Sequence, residues 1–390
     1  MHFARRLGLA LLFALASIAS LASPGAANPL LLVDVDTLEV LEAQEAGQPW
    51  HPASLTKLMT AFVAFEQIAL GNVSLDTPVI LSKAAVALPP SKSGLPADTA
   101  VSLQDALYIL LVKSANDMAV AIADTVGGSE AGFVALMNDA ARRMGLSATH
   151  FVNPHGLHDP GQVTSARDLA VLSLYILQTY PQYAPIFGTE EVTIGKRVYE
   201  SQNELLTKFA GTTGMKTGYV CSSGLNIVAT VERGGRRLLA VVLGASSARE
   251  RNERTAQLVL SALSGNAART GQNLLALPNQ AGAAPVDMRP MICGAQAKDY
   301  VAAQEAAFPM GLEGQPSYLT DTIEAASYVA ADLGRIRTGI PLPRPRPDHM
   351  PVMITTPTQP EAVAEADLRP GLSATVTAAG IPFPRPRPNF

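Results

Sequence analysis

The chain has 390 residues, of which 48% are hydrophobic and 16% are charged, and its formal net charge is −4. This length exceeds that of a typical single domain and predicts one large domain with an appended segment, or two domains. The small acidic excess leaves no basic surface of the kind that nucleic-acid binding requires, which excludes nucleic acid as a partner.

The N-terminal residues 1–27 predict a secretory signal peptide. Two arginines precede an apolar run over residues 7–22, and small residues lead from there to Ala27. The run is too short and too rich in small residues for a comfortable membrane span, and it matches the three regions of a signal peptide. We expect cleavage after Ala27 and a periplasmic mature chain that starts at Asn28. An uncleaved anchor helix is the alternative.

The next part of the chain, residues 28–265, predicts a folded domain of helices and strands. The apolar run at residues 30–43 indicates two short strands joined by a polar turn. A helix predicted from Ser54 to Gly71 is apolar on nearly all sides, which indicates burial in the core. Lys57 is the charged exception within this helix.

Helical periodicity dominates the middle of this domain, and strand patterns dominate its last part. Four helices are predicted between residues 102 and 180. Strand patterns follow around residues 192–199 and in a hairpin over residues 225–245, and a last helix covers residues 248–264. This order predicts a mostly antiparallel sheet whose first and last strands are neighbours, flanked by helices, with an inserted helical subdomain.

The C-terminal extension, residues 266–390, is rich in Ala, Pro, Gly and Gln. It holds two similar segments, GIPLPRPRP at residues 339–347 and GIPFPRPRP at residues 380–388. Alternating prolines fix φ and remove amide donors, so these segments favour polyproline II. We expect an irregular, Pro-rich and largely disordered extension. Its arginines are candidates for contact with cell-wall polymer or a protein partner, and a solvated spacer is the alternative.

A serine and a lysine at the start of the buried helix are candidates for nucleophilic catalysis. Ser54 and Lys57 form an S-x-x-K motif, and their spacing of three places the hydroxyl and the amine on one helix face. A lysine whose pKa is lowered by burial and a neighbouring cation can accept the proton of a serine hydroxyl. In the structural alternative, Ser54 caps the helix and the Lys57 side chain extends to solvent.

Two further motifs follow in the chain. Ser114 and Asn116 form an S-x-N motif in a break between helices, and Lys216, Thr217 and Gly218 fit the start of an edge strand that lines a groove. Each motif alone is common by chance. Together, in this order and in helix, loop and strand contexts, they form the motif set already known for class A β-lactamases and penicillin-binding proteins.

From about residue 29 to residue 264 the chain resembles the low-molecular-mass penicillin-binding proteins, specifically the D-alanyl-D-alanine carboxypeptidases. The resemblance rests on the blocks HPASLTKLMTAFVAFE, LLVKSANDMAVAIAD, THFVNPHGLHDPGQVTSARDLAVLS and GMKTGY. It implies an α/β (α+β) fold of the β-lactamase/D,D-peptidase type. It also implies a serine peptidase that removes the terminal D-alanine of peptidoglycan stem peptides and that β-lactams inhibit covalently.

The resemblance assigns four residues to the chemical steps. Ser54 would be the acylated nucleophile and Lys57 its general base. Ser114 would relay protons, and Asn116 would help to position the substrate.

The resemblance assigns substrate binding to the strand motif. Lys216 would supply a second positive charge, Thr217 would hold the terminal carboxylate, and Gly218 would let the substrate backbone approach the strand. The oxyanion hole, which stabilises the negative charge that develops during acyl transfer, would consist of the backbone amides of Ser54 and Tyr219.

No metal and no cofactor are predicted. His150, His155 and His158 lie close together, but they lack the helix and glutamate of a zincin, and we interpret them as loop residues.

Two features depart from the family pattern. Residues 201–203 read Ser-Gln-Asn where many relatives carry Asn-x-Asn. The extension shows neither the compact β-rich domain nor the amphipathic membrane helix of familiar members, so peripheral membrane contact is not implied.

The two cysteines of the chain, Cys221 and Cys293, predict a disulfide, since an exported protein reaches an oxidising compartment. Such a bond would hold the start of the extension beside the predicted cleft. Two independent thiols are the alternative.

Three other functions compete with the carboxypeptidase hypothesis. A D,D-endopeptidase acting on peptidoglycan crosslinks uses the same site and stays open. A class A β-lactamase needs a deacylating glutamate, and no E-x-x-L-N segment occurs between Asn116 and Lys216. A non-catalytic envelope scaffold is disfavoured because all seven residues of the three motifs are intact.

Overall fold

The computed structural model describes residues 28–265, 270–280 and 282–336. The expected signal peptide and both PRPRP segments lie outside the described residues. The strands are β1 (Leu30–Asp34), β2 (Val40–Gln44), β3 (Pro78–Ile80), β4 (Ala100–Ser102), β5 (Thr189–Ile194), β6 (Arg197–Glu200), β7 (Thr212–Val220), β8 (Gly224–Arg233), β9 (Arg236–Ala245) and β10 (Ala326–Ala330).

The α-helices are α1 (Thr56–Ala69), α2 (Lys83–Ala87), α3 (Leu103–Val112), α4 (Asn116–Gly127), α5 (Glu130–Arg143), α6 (Ala166–Thr179), α7 (Ala184–Phe187), α8 (Leu205–Lys208), α9 (Ala248–Leu263), α10 (Arg289–Ile292) and α11 (Ala297–Ala307). Short 3-10 helices lie at Ala53–Leu55, Pro181–Tyr183 and Leu274–Ala276.

A five-stranded antiparallel sheet forms the centre of the molecule, with the strand order β2-β1-β9-β8-β7. β1 pairs with β9, so that Leu30 lies opposite Val242 and Asp34 lies opposite Leu238. The first strand of the domain is therefore the neighbour of its last strand, which confirms the predicted topology. β7 forms one edge of this sheet.

The two faces of the sheet are covered differently. Side chains alternate between the faces of a strand, and in β1 Leu31 and Val33 belong to the large core shared with the helices α1 to α6, whereas Leu32 faces the opposite way. Leu32 packs in a smaller core that includes residues of α9 such as Val259. The domain therefore has three layers: a helical region, the sheet and the single helix α9.

Serine caps position several helices of these layers. The hydroxyls of Ser102, Ser129, Ser165 and Ser247 each accept a hydrogen bond from the backbone N–H three residues later, at the starts of α3, α5, α6 and α9. Such a cap typically contributes about 1 kcal/mol. The helix starts predicted at residues 102 and 165 agree with two of these caps.

The described part of the extension contains elements of regular structure, which corrects the expectation of an irregular segment for these residues. It contains α10, α11 and β10, and it buries the side chains of Leu274, Met288, Phe308 and Ala330. β10 pairs in parallel with β5, which is followed by β6 in a second, three-stranded sheet. These four apolar residues are isolated in a Gly- and Pro-rich sequence and give no helical or strand periodicity. In the structure they are buried against the surface of the domain.

Within the described residues, no single helix is long and apolar enough to cross a membrane. Only α4 and α5 taken together meet the requirements for length and composition, and they bend by 84° at their junction.

Candidate active site

A cleft of about 770 Å³ lies between the edge strand β7 and the helical region. Its lining includes six of the eight residues assigned to the site by sequence: Ser54, Ser114, Asn116, Thr217, Gly218 and Tyr219. The other two, Lys57 and Lys216, are buried, with exposed fractions of 0% and 3%. The three motifs, which are separated by up to 162 positions between Ser54 and Lys216, therefore meet at one place.

Ser54 lies in the 3-10 turn Ala53–Leu55, directly before α1, and not in the α-helix itself. The preceding Ala53 has φ of 49°, in the left-handed region that few residues other than glycine adopt. Gly156 packs against this turn so closely that a Cβ there would lie 1.9 Å from the Ala53 carbonyl oxygen. The turn is thus held from outside, and the Ser54 hydroxyl contacts Lys57 instead of capping α1.

Lys57 Nζ makes three polar contacts, at 3.0 Å to Ser54 Oγ, 2.8 Å to Asn116 Oδ1 and 2.6 Å to the His155 carbonyl oxygen. Asn116 Nδ2 donates to the Pro89 carbonyl, which fixes the orientation of the amide and directs Oδ1 at Lys57. A carbonyl oxygen can only accept, so Asn116 and His155 take two N–H groups. When the amine is neutral, its lone pair is left for the Ser54 hydroxyl.

The electrostatic surroundings favour this neutral form. Burial, and then the positive charge of Lys216, lower the pKa of Lys57 well below 10.5, although Asp117 acts in the opposite direction. Burial and the charge of Arg251 lower the pKa of Lys216 to about 7. Burial also lowers the pKa of Arg251 to about 10. The site therefore concentrates positive charge away from water, which is the arrangement that turns a lysine into a base.

Ser114 lies in the break between α3 and α4 with φ of 61°. Its Oγ is buried and has no hydrogen-bond partner among the described residues. Buried hydroxyls in proteins are nearly always paired, so an unpaired one at the cleft is available to a reacting group. Asn116, two residues later, is the first residue of α4, so one chain break delivers both side chains.

Lys216, Thr217 and Gly218 lie in the middle of β7, not at its start as predicted. A Cβ at Gly218 would lie 2.9 Å from the Ser54 backbone nitrogen and 3.1 Å from that of Leu55. Glycine is thus required because the nucleophile turn packs against the strand, a physical reason different from the substrate approach that the resemblance implied. The same contact brings the Ser54 amide next to the Gly218–Tyr219 segment.

Sequence reasoning missed Arg251, which lines the cleft from the first turn of α9 and is 4% exposed. Its guanidinium donates to the Gln202 carbonyl and to Asn252 Oδ1. In the sequence, the run RERNER looks like a solvated helix face. Asp117 was also missed, and its carboxylate accepts hydrogen bonds from Ser93 N and Oγ, which holds the loop that leads to the cleft.

Cys221 and Cys293 form a disulfide, with Cα atoms 5.7 Å apart. Cys221 directly follows β7, and the nearby Met288 amide donates to the Ser222 carbonyl. The extension is therefore attached beside the cleft. Among the described residues, no three His, Cys, Asp or Glu side chains converge as metal ligands.

The fold and the three motifs are those of the penicillin-binding proteins of the D,D-peptidase type. Penicillin binding protein 5 from Haemophilus influenzae superposes with a TM-score of 0.59 at 32% identity, covering 61% of this chain and 71% of that one. Penicillin-Binding Protein D2 from Listeria monocytogenes, in the cefotaxime-bound form, has a TM-score of 0.56 at 33% identity, covering 61% of this chain and 97% of that one.

A family model described as D-alanyl-D-alanine carboxypeptidase matches residues 18–247. The chain belongs to this family. It is 37% identical over 240 residues to the D-alanyl-D-alanine carboxypeptidase DacD of Escherichia coli and to that of Salmonella typhimurium, covering 60% of this chain and 62% of each relative. The matched region thus spans less than two thirds of the length of these relatives.

Proposed function

We propose that this protein is a serine-type D-alanyl-D-alanine carboxypeptidase of the periplasm. It removes the terminal D-alanine of peptidoglycan stem peptides through an acyl-enzyme on Ser54, and β-lactams acylate the same hydroxyl. The contact of 3.0 Å between Lys57 Nζ and Ser54 Oγ carries this proposal. The two other polar neighbours of Nζ are acceptors and take its two N–H groups, so the lone pair of the neutral amine points to the Ser54 hydroxyl. The signal-like residues 1–27 support export.

In the first chemical step, neutral Lys57 accepts the proton of the Ser54 hydroxyl while Oγ attacks the carbonyl carbon of the penultimate D-alanine. The carbonyl oxygen gains negative charge, which the backbone amides of Ser54 and Tyr219 stabilise. The C–N bond then breaks, and the leaving amine of D-alanine takes the proton held by Lys57, with the unpaired Ser114 hydroxyl as the relay. An ester on Ser54 remains.

In the second step, water attacks this ester, and Lys57 now accepts the proton of the water. The tetrahedral intermediate collapses, Ser54 Oγ leaves with the proton, and the shortened peptide is released. The step uses the same base and the same oxyanion hole, so the protein needs no second catalytic centre.

Substrate binding uses the free edge of β7, to which the peptide adds as a further strand. Thr217 holds the terminal carboxylate, and Lys216 and Arg251 supply positive charge near it. A β-lactam carries a carboxylate at the equivalent position and enters in the same way.

The test is the labelling of the mature protein with a fluorescent penicillin, together with an assay of D-alanine release from a stem pentapeptide. We expect the wild type to be labelled and to release D-alanine, and Ser54→Ala to do neither while its circular dichroism is unchanged. Ser264→Ala, which alters an exposed serine, is the matched control. Labelling of Ser54→Ala, or no labelling of a folded wild type, would contradict the proposal. Loss of crosslinked dimers without D-alanine release would instead identify an endopeptidase.

A further inference from the structure

One end of the cleft presents an exposed aromatic side chain held by the disulfide. Tyr219 lines the cleft and is 50% exposed. Its hydroxyl lies 3.2 Å from Cys293 Sγ and 3.8 Å from Cys221 Sγ. The sulfur atoms of a disulfide carry no proton, so the phenol is the donor in both contacts. The ring position is therefore set by the extension and not by β7 alone.

Three chain segments meet at this end of the cleft. Met288 is buried and its amide donates to the Ser222 carbonyl, which fixes the extension against the turn that follows β7. Ser222 Oγ lies 2.8 Å from His158 Nδ1, which connects the same turn to the loop between α5 and α6. Gly156 and Leu157 of that loop line the cleft. The turn, the loop and the extension thus meet beside Tyr219 in a structure that we call the end wall, and of these segments only the loop contributes residues to the cleft lining, beside those of β7.

The direction of a bound peptide follows from the proposed function, on which this inference rests. The terminal carboxylate lies at Thr217, and the carbonyl that is attacked lies at the Tyr219 amide. Residues two apart on a strand share one face and lie roughly 7 Å apart. The C-terminus of the peptide therefore lies at Thr217 and its preceding residues lie at Tyr219, so the peptide runs antiparallel to β7. Its residues before the attacked bond therefore pass the Tyr219 ring and reach the end wall.

We propose that the Tyr219 side chain, fixed by the Cys221–Cys293 disulfide, is a positioning residue for the part of the stem peptide that precedes the two D-alanines. A phenol ring offers a large apolar face at low conformational cost, and its polar end is already bonded to sulfur. The extension thus takes part in the choice of substrate although it contributes no group to the reacting atoms. A substrate shortened to the two D-alanines alone does not reach this wall.

The experiment compares kcat and KM for a stem pentapeptide and for N-acetyl-D-alanyl-D-alanine. For Tyr219→Ala, we expect the ratio of kcat/KM for the long substrate to that for the short one to fall about ten-fold, mainly through KM of the long substrate. Tyr219→Phe keeps the ring but loses the hydrogen bond to sulfur, so this ratio should fall only about three-fold, as in the disulfide variant below. The double variant Cys221→Ser/Cys293→Ser should lower the ratio in the same direction, about three-fold, with kcat on the short substrate unchanged.

The outcomes separate this inference from the proposed function. A wild type that releases no D-alanine from either substrate contradicts the proposed function itself. A wild type that is active, with a Tyr219→Ala variant whose ratio is unchanged, overturns the positioning role. If the ratio falls equally in Tyr219→Phe, the hydroxyl and not the ring is the determinant, and the inference as stated is wrong. Penicillin labelling of each variant reports that the site is folded.

Discussion

The catalytic domain and the extension reach their structures by different means. In the domain, α1 is buried along most of its length and the strands β1, β8 and β9 contribute side chains to both cores, so burial of periodic apolar residues determines the structure. Within residues 270–280 and 282–336, the extension forms no core of its own. It is held by a disulfide, by the pairing of β10 with β5 and by single side chains on the domain surface. The domain thus supplies the candidate active site and the surface, and the extension depends on that surface.

Side chains and amides of the extension contact two helices of the domain, first α9 and then α3. Ser317 Oγ and the Tyr318 amide donate to the Glu253 carboxylate on α9. Further along, the Tyr328 ring stacks on Tyr108 of α3, and its hydroxyl donates to Asp105. Each attachment uses a residue that the domain has already positioned, which is why the extension can be ordered with so little apolar sequence.

The largest expected effect lies in the domain. Lys57→Met removes the base but keeps an apolar side chain of similar length, so the rate of acylation by penicillin should fall by about a hundred- to ten-thousand-fold. Stability to denaturant should fall by about 1–3 kcal/mol, because Asn116 Oδ1 and the His155 carbonyl oxygen lose their buried donor. Lys298→Met, at an exposed position on α11 outside the cleft lining, is the control and should change neither. Stopped-flow acylation with urea unfolding measures both, and a rate within ten-fold of wild type would exclude Lys57 as the base.

A second variant tests the contact between the strand and the nucleophile turn. Gly218→Ala places a Cβ 2.9 Å from the Ser54 nitrogen, so the turn or the strand must move. We expect acylation to slow by about a hundred-fold, as for the loss of one oxyanion donor. Gly195→Asn, in a turn with open space around it, should react like wild type. An acylation rate of Gly218→Ala equal to that of the wild type would show that the turn can move without disturbing the nucleophile.

The disulfide separates the two regions most directly. A bond that closes a loop with a sequence separation of 72 stabilises the folded state by about 4 kcal/mol in the chain-entropy description. In Cys221→Ser/Cys293→Ser, we expect the amides of α11 and β10 to lose hydrogen-exchange protection while those of β8 and β9 keep it. Equal loss in both regions would show that the domain and the extension unfold as one unit.

The smallest effect concerns pH. Burial, and then the charge of Lys57, lower the pKa of His155 from 6.5 to about 4, and its Nδ1 accepts a hydrogen bond from the Leu157 amide, which requires the neutral ring. The unfolded chain therefore binds this proton more readily, and stability is lost as pH falls from about 6.5 toward 4. We expect a loss of roughly 1.5 kcal/mol between pH 6.5 and 5.

His155→Asn provides the control for this pH dependence, because an amide oxygen can replace Nδ1 as acceptor but does not titrate in this range. Urea unfolding at the two pH values should show a smaller loss in this variant than in the wild type. The Glu130 carboxylate, 3.9 Å from Nε2, is the nearest group that favours the protonated ring. An equal loss in both proteins would assign the acid sensitivity to other groups.

Much of the site was predictable because its chemistry requires particular residue types at short spacing. The S-x-x-K motif requires a serine and a lysine with a spacing of three at the start of a helix, and the S-x-N motif requires a break between helices. Both patterns are visible in the sequence. Arg251 was not predictable, because its charge lies in a helix turn that resembles any solvated one, and its burial and its bond to the Gln202 carbonyl depend on a segment distant in the sequence.

By itself, the sequence determined the order of the long helices and of the central strands, the pairing of the first and last strands, the three motifs and the candidate disulfide. These depend on local periodicity and on residue chemistry, which need no knowledge of distant contacts. The tertiary structure alone decided that Gly218 faces the nucleophile turn, that β10 joins β5 and that Tyr219 bonds to the disulfide. Each of these depends on the distance between segments far apart in the chain, and that distance is set by packing of the whole domain.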